Sequence, residues 1–437
     1  MAKKIPTFLI FLLSSAFIPQ VFAAEHLNLK QCISRALLSN PEMEIADDSI
    51  EGAAERKNEA NKIGYPIFDY EYNLAPAPKD TTRALDSFGH GELTPFNRFK
   101  IGVGVPLNTF GKVKTGKALA DVGTEAERRK KDQKKAEIVL KVKQLYYGIL
   151  LAREGRQLLD AGYHGVDNEI KKREEKGGTD PSELIKLKLF RAEMDRRIQD
   201  GEKKKELAKA ALAVTMGVES SDVFEIVEEK LLPLDSKIKT YEDYRSQALA
   251  QRPDLKLLDL GREAKSKQVT LEKRLMTPNI GVGGFFEMGR APNVTDSGTT
   301  DDFNNPFNYT RAGIGLQLKG TLDFHNSKTK IKQANIELKK IDVQKQLARE
   351  GVGLEVREAY LDVQNTQKDV ARAEESGKLS RQLLFMTQSN MDIGIGEPKD
   401  LIDALTAFLQ TRGQYFEAVF NYNVALAKLE QKTGVVP

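Results

Sequence analysis

Four short stretches of the chain alternate between apolar and polar positions with the period of two that a strand imposes. Residues 68–74 put Phe68, Tyr70, Tyr72 and Leu74 on one face and Asp69, Glu71 and Asn73 on the other. Phe99, Ile101, Val103 and Val105 oppose Lys100, Gly102 and Gly104. Ile280, Val282, Phe286 and Met288 share a face with Gly284 as a gap, and Ala312, Ile314, Leu316 and Leu318 oppose Arg311, Gly313, Gly315 and Gln317. Elsewhere the period is helical. Helical stretches over about 28–62 and 241–276 each lead to a proline. Very long helices are predicted over about 110–175 and 324–391, then a Gly/Pro turn and a last helix over about 181–216 and 398–433. At ~1.5 Å per residue the long helices approach ~100 Å. Leu347, Val352, Leu354, Val356, Tyr360, Leu361 and Val363 mix three- and four-residue spacings, as in coiled-coil packing, while Lys328, Lys330, Lys332, Lys339 and Lys340 fill other positions.

The same layout occurs twice, which points to an internal duplication. Asn40-Pro41-Glu42 lines up with Arg252-Pro253-Asp254, and Pro66 with Pro278. Pro95-Phe96-Asn97 recurs as Pro306-Phe307-Asn308, and Phe110 with Lys114-Thr115 as Phe324 with Lys328-Thr329. Tyr146 matches Tyr360. Gly177, Pro181 and Leu184-Ile185 recur as Gly394, Pro398 and Leu401-Ile402, and Gly217-Val218 as Gly434-Val435. The order and nearly constant shift give a first repeat at 24–218, a connector at 219–240 and a second repeat at 241–437.

The first 23 residues read as a signal peptide: Lys3 and Lys4, an apolar run from Phe8 to Ile18, then small residues around Ala23 and Ala24. That run is shorter than the ~20 residues of a membrane helix. A lipid anchor would need a cysteine directly after the run. The single cysteine, Cys32, lies further on, inside a predicted helix, so it reads as a buried structural residue and no lipid anchor is expected. One cysteine excludes an intramolecular disulfide and a cysteine-based zinc site. His26, His90, His164 and His325 are too scattered for a metal pair. Lys and Arg number 67 against 63 Asp and Glu, a balance that gives no argument for nucleic acid. No nucleophile triad, metal cluster or phosphate loop stands out, so neither an enzyme nor a cofactor is expected.

Export, strand length and the aromatics of the first strand favour membrane strands over a soluble sheet packed on helices, although alternation alone fits both. Four strands do not close a barrel, and in lipid every backbone group needs a partner. The edges must then pair between copies. Two copies give a barrel of about eight strands, filled by its own side chains, and three give about twelve with an open lumen. A periplasmic coiled-coil scaffold or adaptor without a pore is the alternative.

The duplication, the proline-flanked strand pairs and the two turns, Gly177 to Leu184 and Gly394 to Leu401, resemble the TolC family of outer-membrane efflux proteins over about 25–437. The resemblance implies an α+β homotrimer in the outer membrane of a Gram-negative bacterium. Its twelve-stranded β-barrel would be continuous with a twelve-helix periplasmic α-barrel. It further implies a channel working with a periplasmic adaptor and an inner-membrane pump or ABC transporter, in drug efflux or type I secretion. The adaptor-contacting tip would be Gly177, Gly178, Thr179, Asp180, Pro181, Gly394, Ile395, Gly396, Glu397 and Pro398. Glu183, Asp400 and Asp403 match acidic positions past the turns, where three copies would make carboxylate rings at the constriction that bind cations. Met391 and Gly396 stand where well-studied members carry a tyrosine and an arginine that latch the tip, so a latch of that type is not expected.

Overall fold

The computed structural model describes residues 25–176, 180–218, 224–294, 305–321, 323–393 and 395–435. The proposed signal peptide, Gly177, Gly178, Thr179 and Gly394 lie outside the described residues. In chain order the elements are β1 (Glu25–Leu27), α1 (Leu29–Ser39), α2 (Pro41–Lys62), β2 (Ile67–Pro78), α3 (Ala84–Gly89), β3 (Leu93–Asn108), α4 (Lys112–Lys176) and α5 (Pro181–Thr215). Then come β4 (Phe224–Ile226), α6 (Tyr241–Gln251), α7 (Pro253–Leu275), β5 (Asn279–Arg290), β6 (Tyr309–Lys319), α8 (Phe324–Asp392) and α9 (Pro398–Lys432). The helices expected over about 28–62 and 241–276 are each two. Pro41 and Pro253 start new helices because a proline lacks the N–H that would continue the old one. The strands β2 and β3 extend beyond their alternating stretches, to Pro78 and back to Leu93, with α3 in the connection between them.

Packing divides the chain into two compact units. The first holds the described residues up to Asn40, with Lys141–Leu234 and Asp369–Val424. Here β1 pairs in parallel with β4. The start of the connector is pinned to helices by side chains: Glu154 accepts the Leu231 N–H at 3.0 Å, while Asn423 accepts from Leu234 N–H at 3.0 Å and donates to Leu232 O at 2.9 Å. Cys32 is fully buried, and burial pushes its thiol up to about 12, so it behaves as a small apolar residue. Toward the α4–α5 and α8–α9 turns, Val166, Ile170, Leu187, Met194 and Leu405 form a buried cluster, with Leu384, Ile402 and Phe408 packed against it.

The second unit holds Pro41–Leu140, Asp235–Lys368 and the described residues from Ala425. It contains a four-stranded antiparallel sheet in the order β2-β3-β5-β6. Beyond the sheet, α2 runs antiparallel to α4, joined by Lys57–Asp121 at 2.8 Å and Lys134–Glu42 at 3.1 Å. In the same way α7 runs along α8 through Arg262–Asp342 at 2.6 Å and Lys265–Glu337 at 3.8 Å.

Corresponding positions of the two halves take corresponding structure. Gly217 and Gly434 have φ of +71° and +76°, in the left-handed region that favours glycine. An added Cβ at Gly217 would lie 1.9 Å from the Ser39 carbonyl oxygen, and at Gly434 2.8 Å from Arg252 N. The residue before each helix-starting proline also reaches a carbonyl near the end of its half's last helix. Asn40 Nδ2 donates to Thr215 O at 2.7 Å, and Arg252 Nη1 to Lys432 O at 3.5 Å.

Candidate functional site

Strand register decides which side chains share a face of the sheet. Phe68, Val103, Gly284 and Ile314 form one row across the four strands, Tyr70, Ile101, Phe286 and Ala312 the next, and Tyr72, Phe99, Met288 and Thr310 a third. Leu316 pairs with Val282 and Leu318 with Ile280, extending the same side. The outer strands leave this side bare: Tyr70 is 83% and Ile314 89% exposed. Apolar area in water costs about 25 cal/mol per Å². A contiguous apolar face of this kind is built for apolar surroundings.

The opposite side is polar and carries an ionic network. Arg98 Nε donates to Glu287 at 2.7 Å, the Tyr309 hydroxyl donates to the same carboxylate at 2.7 Å, and Glu71 lies 3.9 Å from Arg98. The Arg311 guanidinium stands 4.2 Å over the Tyr309 ring. Glycines take many of the other positions on this side, beside Asn73, Lys100 and Gln317, and Asp69 covers Gly102. Phe285 is an exception that alternation alone does not explain. It lies on the polar side over Gly313, where an added Cβ would be 2.8 Å from the ring. Both outer strands, β2 with 12 residues and β6 with 11, pair on one edge only, so each offers a row of unpaired backbone groups.

At the junction of sheet and helices, Lys112 Nζ donates to Thr277 O at 2.5 Å and to Asn279 Oδ1 at 2.8 Å, and Arg274 Nη1 donates to Gly111 O at 2.7 Å. These bonds tie the start of α4 to the end of α7.

At the helix turns of the first unit, Asp180 caps α5 by accepting from the Ser182 N–H and hydroxyl, both at 2.9 Å, with Pro181 at the first helical position. These bonds hold the Asp180 carboxyl below the usual carboxylate range. Glu183 is half-buried and accepts from Arg173 Nη1 at 3.4 Å. Asp400, in the first turn of α9, and Asp403 are exposed and have no ion pair among the described residues. At the second turn Ile395 and Glu397 are exposed, and Pro398 begins α9. The Ile395 N–H donates to Asn390 O at 3.0 Å, and an added Cβ at Gly396 would lie 2.7 Å from Met391 Sδ. Met391 and Gly396, the two positions where no latch is expected, are thus packed against each other. Sequence reasoning missed this contact, the Arg173–Glu183 pair and the Lys172–Asp392 pair at 3.1 Å, because each joins segments whose meeting depends on the fold.

Residues 244–435 match the family model described as outer membrane efflux protein. Comparison with curated protein sequences gives no match. Among solved structures, the outer membrane protein VceC from Vibrio cholerae is similar, with a TM-score of 0.73 and 16% identity over 93% of this chain and 96% of that one. The CmeC outer membrane channel of Campylobacter jejuni gives 0.72 and 16% identity over 99% and 94%. A structure of CusC, described in terms of transmembrane channel formation, gives 0.75 and 14% over 94% and 93%. The second half of the chain thus matches the outer membrane efflux protein model, and nearly the whole chain is similar in fold to these outer membrane channel structures.

Proposed function

We propose that three copies of the chain form a conduit through the outer membrane of a Gram-negative cell. Their twelve strands would close a β-barrel, and their helices would continue it as an α-barrel into the periplasm. The observation that carries this reading is the four-stranded sheet with one exposed apolar face and two unpaired edges. A barrel closed between copies satisfies both at once. The two repeats, 24–218 and 241–437, each supply two strands and a helical pair, with the connector at 219–240 between them. Residues 1–23 direct export and are then removed. The protein would be held in the membrane by this barrel, without a lipid anchor.

The channel would be the passive outer component of a tripartite efflux or type I secretion system. An inner-membrane pump or ABC transporter would drive it through a periplasmic adaptor. The turns around Asp180–Pro181 and Ile395–Pro398 would meet the adaptor, with Gly177, Gly178, Thr179 and Gly394 completing that tip. Exposed Ile393 and Ile395 supply apolar contact there. Asp400 and Asp403 are the stronger candidates for a cation-binding ring, since Arg173 already balances Glu183.

Single-channel recording in a planar bilayer tests this. Wild type is expected to give discrete steps blocked by a trivalent cation, and Asp400→Ala/Asp403→Ala to lose the block. Steps with unchanged block remove the ring. A protein that stays soluble without detergent and gives no steps removes the channel and leaves a coiled-coil scaffold.

A further inference from the structure

The helices leave the sheet through a strongly basic band. At and beyond the strand ends on the helix side, residues 56–66, 109–121, 265–278 and 319–332 hold fourteen Lys and Arg against four Asp and Glu. The two connections at the other end, 79–92 and 291–308, hold two against six. The whole chain carries only +4, so the asymmetry is local.

Internal pairing does not use up this charge. Lys57 meets Asp121 and Lys265 meets Glu337, but exposed Lys62, Lys114, Lys273, Lys328, Lys330 and Lys332 make no ion pair among the described residues. Helix stability does not account for them either. Neither α4 nor α8 has an acid in its first turn, whereas α2, α5, α6, α7 and α9 do. Lysines at a helix start stand against the helix dipole.

Between the band and the apolar face sit three exposed aromatics at the strand ends: Tyr65 before β2, Phe110 after β3 and Phe324 after β6. An apolar face, then aromatics, then lysines is the order of environments met on leaving hydrocarbon for the phosphate layer of a bilayer. Lysine stems lie along apolar surface while their ammonium groups reach phosphate.

We propose that this band binds anionic glycerophospholipid headgroups of the leaflet on the helix side and so fixes the depth of the sheet in the membrane. The inference rests on the sheet being the membrane-spanning part. Each cation near an anionic surface contributes several-fold to binding, and added salt screens the effect.

The test uses the whole protein in neutral detergent micelles. Phosphatidylglycerol or phosphatidylcholine of the same chain length is added, and the lipid retained after gel filtration is measured. Wild type is expected to retain phosphatidylglycerol at least about tenfold over phosphatidylcholine at low salt, and to lose the preference near 0.5 M salt, where screening shortens to about 4 Å. Lys114→Gln/Lys117→Gln/Lys328→Gln/Lys330→Gln/Lys332→Gln should abolish the preference. The same change at Lys186, Lys203, Lys204, Lys237 and Lys399 should leave it intact. Lys328→Gln/Lys330→Gln should give an intermediate value and serves where the larger variant does not fold. An unchanged preference in the band variants overturns the proposal. So does displacement of the lipid by inorganic phosphate at equal concentration, which would mark a free-anion site. Failure of wild type to insert into neutral phosphatidylcholine vesicles sinks the membrane reading itself; insertion without headgroup preference sinks only this inference.

Discussion

Ile314 lies near the middle of β6 on the apolar face, 89% exposed, and replacing it by arginine separates the two environments that face can meet. In water, an exposed strand position tolerates such a change within about 0.5 kcal/mol. In lipid, an arginine near the middle of a barrel strand costs about 2–4 kcal/mol. At about 1.4 kcal/mol per factor of ten, that is about 30- to 700-fold in the folding equilibrium. Gln317, three residues on along the same strand, projects to the polar side, so Gln317→Arg adds the same charge where water is expected. The assay is urea-dependent folding into lipid vesicles at fixed protein concentration, because assembly makes stability concentration-dependent. Ile314→Arg should lower the midpoint strongly and Gln317→Arg hardly at all. Equal midpoints for Ile314→Arg and wild type would refute the lipid-facing assignment. A large loss in Gln317→Arg alone would mean the faces are reversed.

Two further predictions concern the joints between helices. Gly217→Ala forces a left-handed backbone on a residue with a Cβ, at about 1–2 kcal/mol, and drives that Cβ into the Ser39 carbonyl, for about 1–3 kcal/mol more. Gly165→Ala, in α4 with nothing within 4 Å, should instead stabilise by about 1 kcal/mol, so thermal midpoints moving the same way in both would count against this geometry. Burial raises the Asp254 and Glu355 carboxyls, but Arg252, and Lys432 at Glu355, outweigh it and hold both below the usual range. Such groups add stability above the unfolded carboxylate value of about 4 and lose it as pH falls through the folded values. Glu355→Gln should therefore flatten the acid side of a stability–pH profile, and an unchanged slope would show that the network contributes nothing there.

The long helices and the strands were legible because each has a dominant period. The helix expected over 324–391 is observed at Phe324–Asp392, and the turn prolines Pro181 and Pro398 begin their helices. What stayed hidden follows from physics that periodicity does not carry. The breaks at Pro41 and Pro253 sit inside continuous helical patterns, where the missing N–H outweighs the apolar period. The short β1–β4 pair joins residues about two hundred apart, each strand too short to show alternation. At the α4–α5 and α8–α9 turns, the acids were visible as helix-start residues, but their difference was not. Arg173 reaches Glu183 from the preceding helix, while Asp400 and Asp403 have no ion pair among the described residues, and that depends on packing alone.

The joints before Pro41 and Pro253 show why the halves share geometry more than residues. In each half, the end of the last helix leaves a carbonyl that needs a donor. Asn40 supplies it from a neutral amide, with no further charge to balance. Arg252 supplies it from a guanidinium whose side chain is 11% exposed, and a cation so placed must be paired. Asp254 at 2.6 Å and Glu355 at 2.9 Å do this, and Glu355 in turn holds Lys432 at 2.9 Å. The same demand is met through a neutral amide in the first half and through a four-residue ionic network in the second. The second joint is thereby coupled to acid through Asp254 and Glu355. At these joints the matches that survive between the halves are accordingly the residues whose backbone properties fix the turn, the prolines and the left-handed glycines, while the side chains that close it are free to differ.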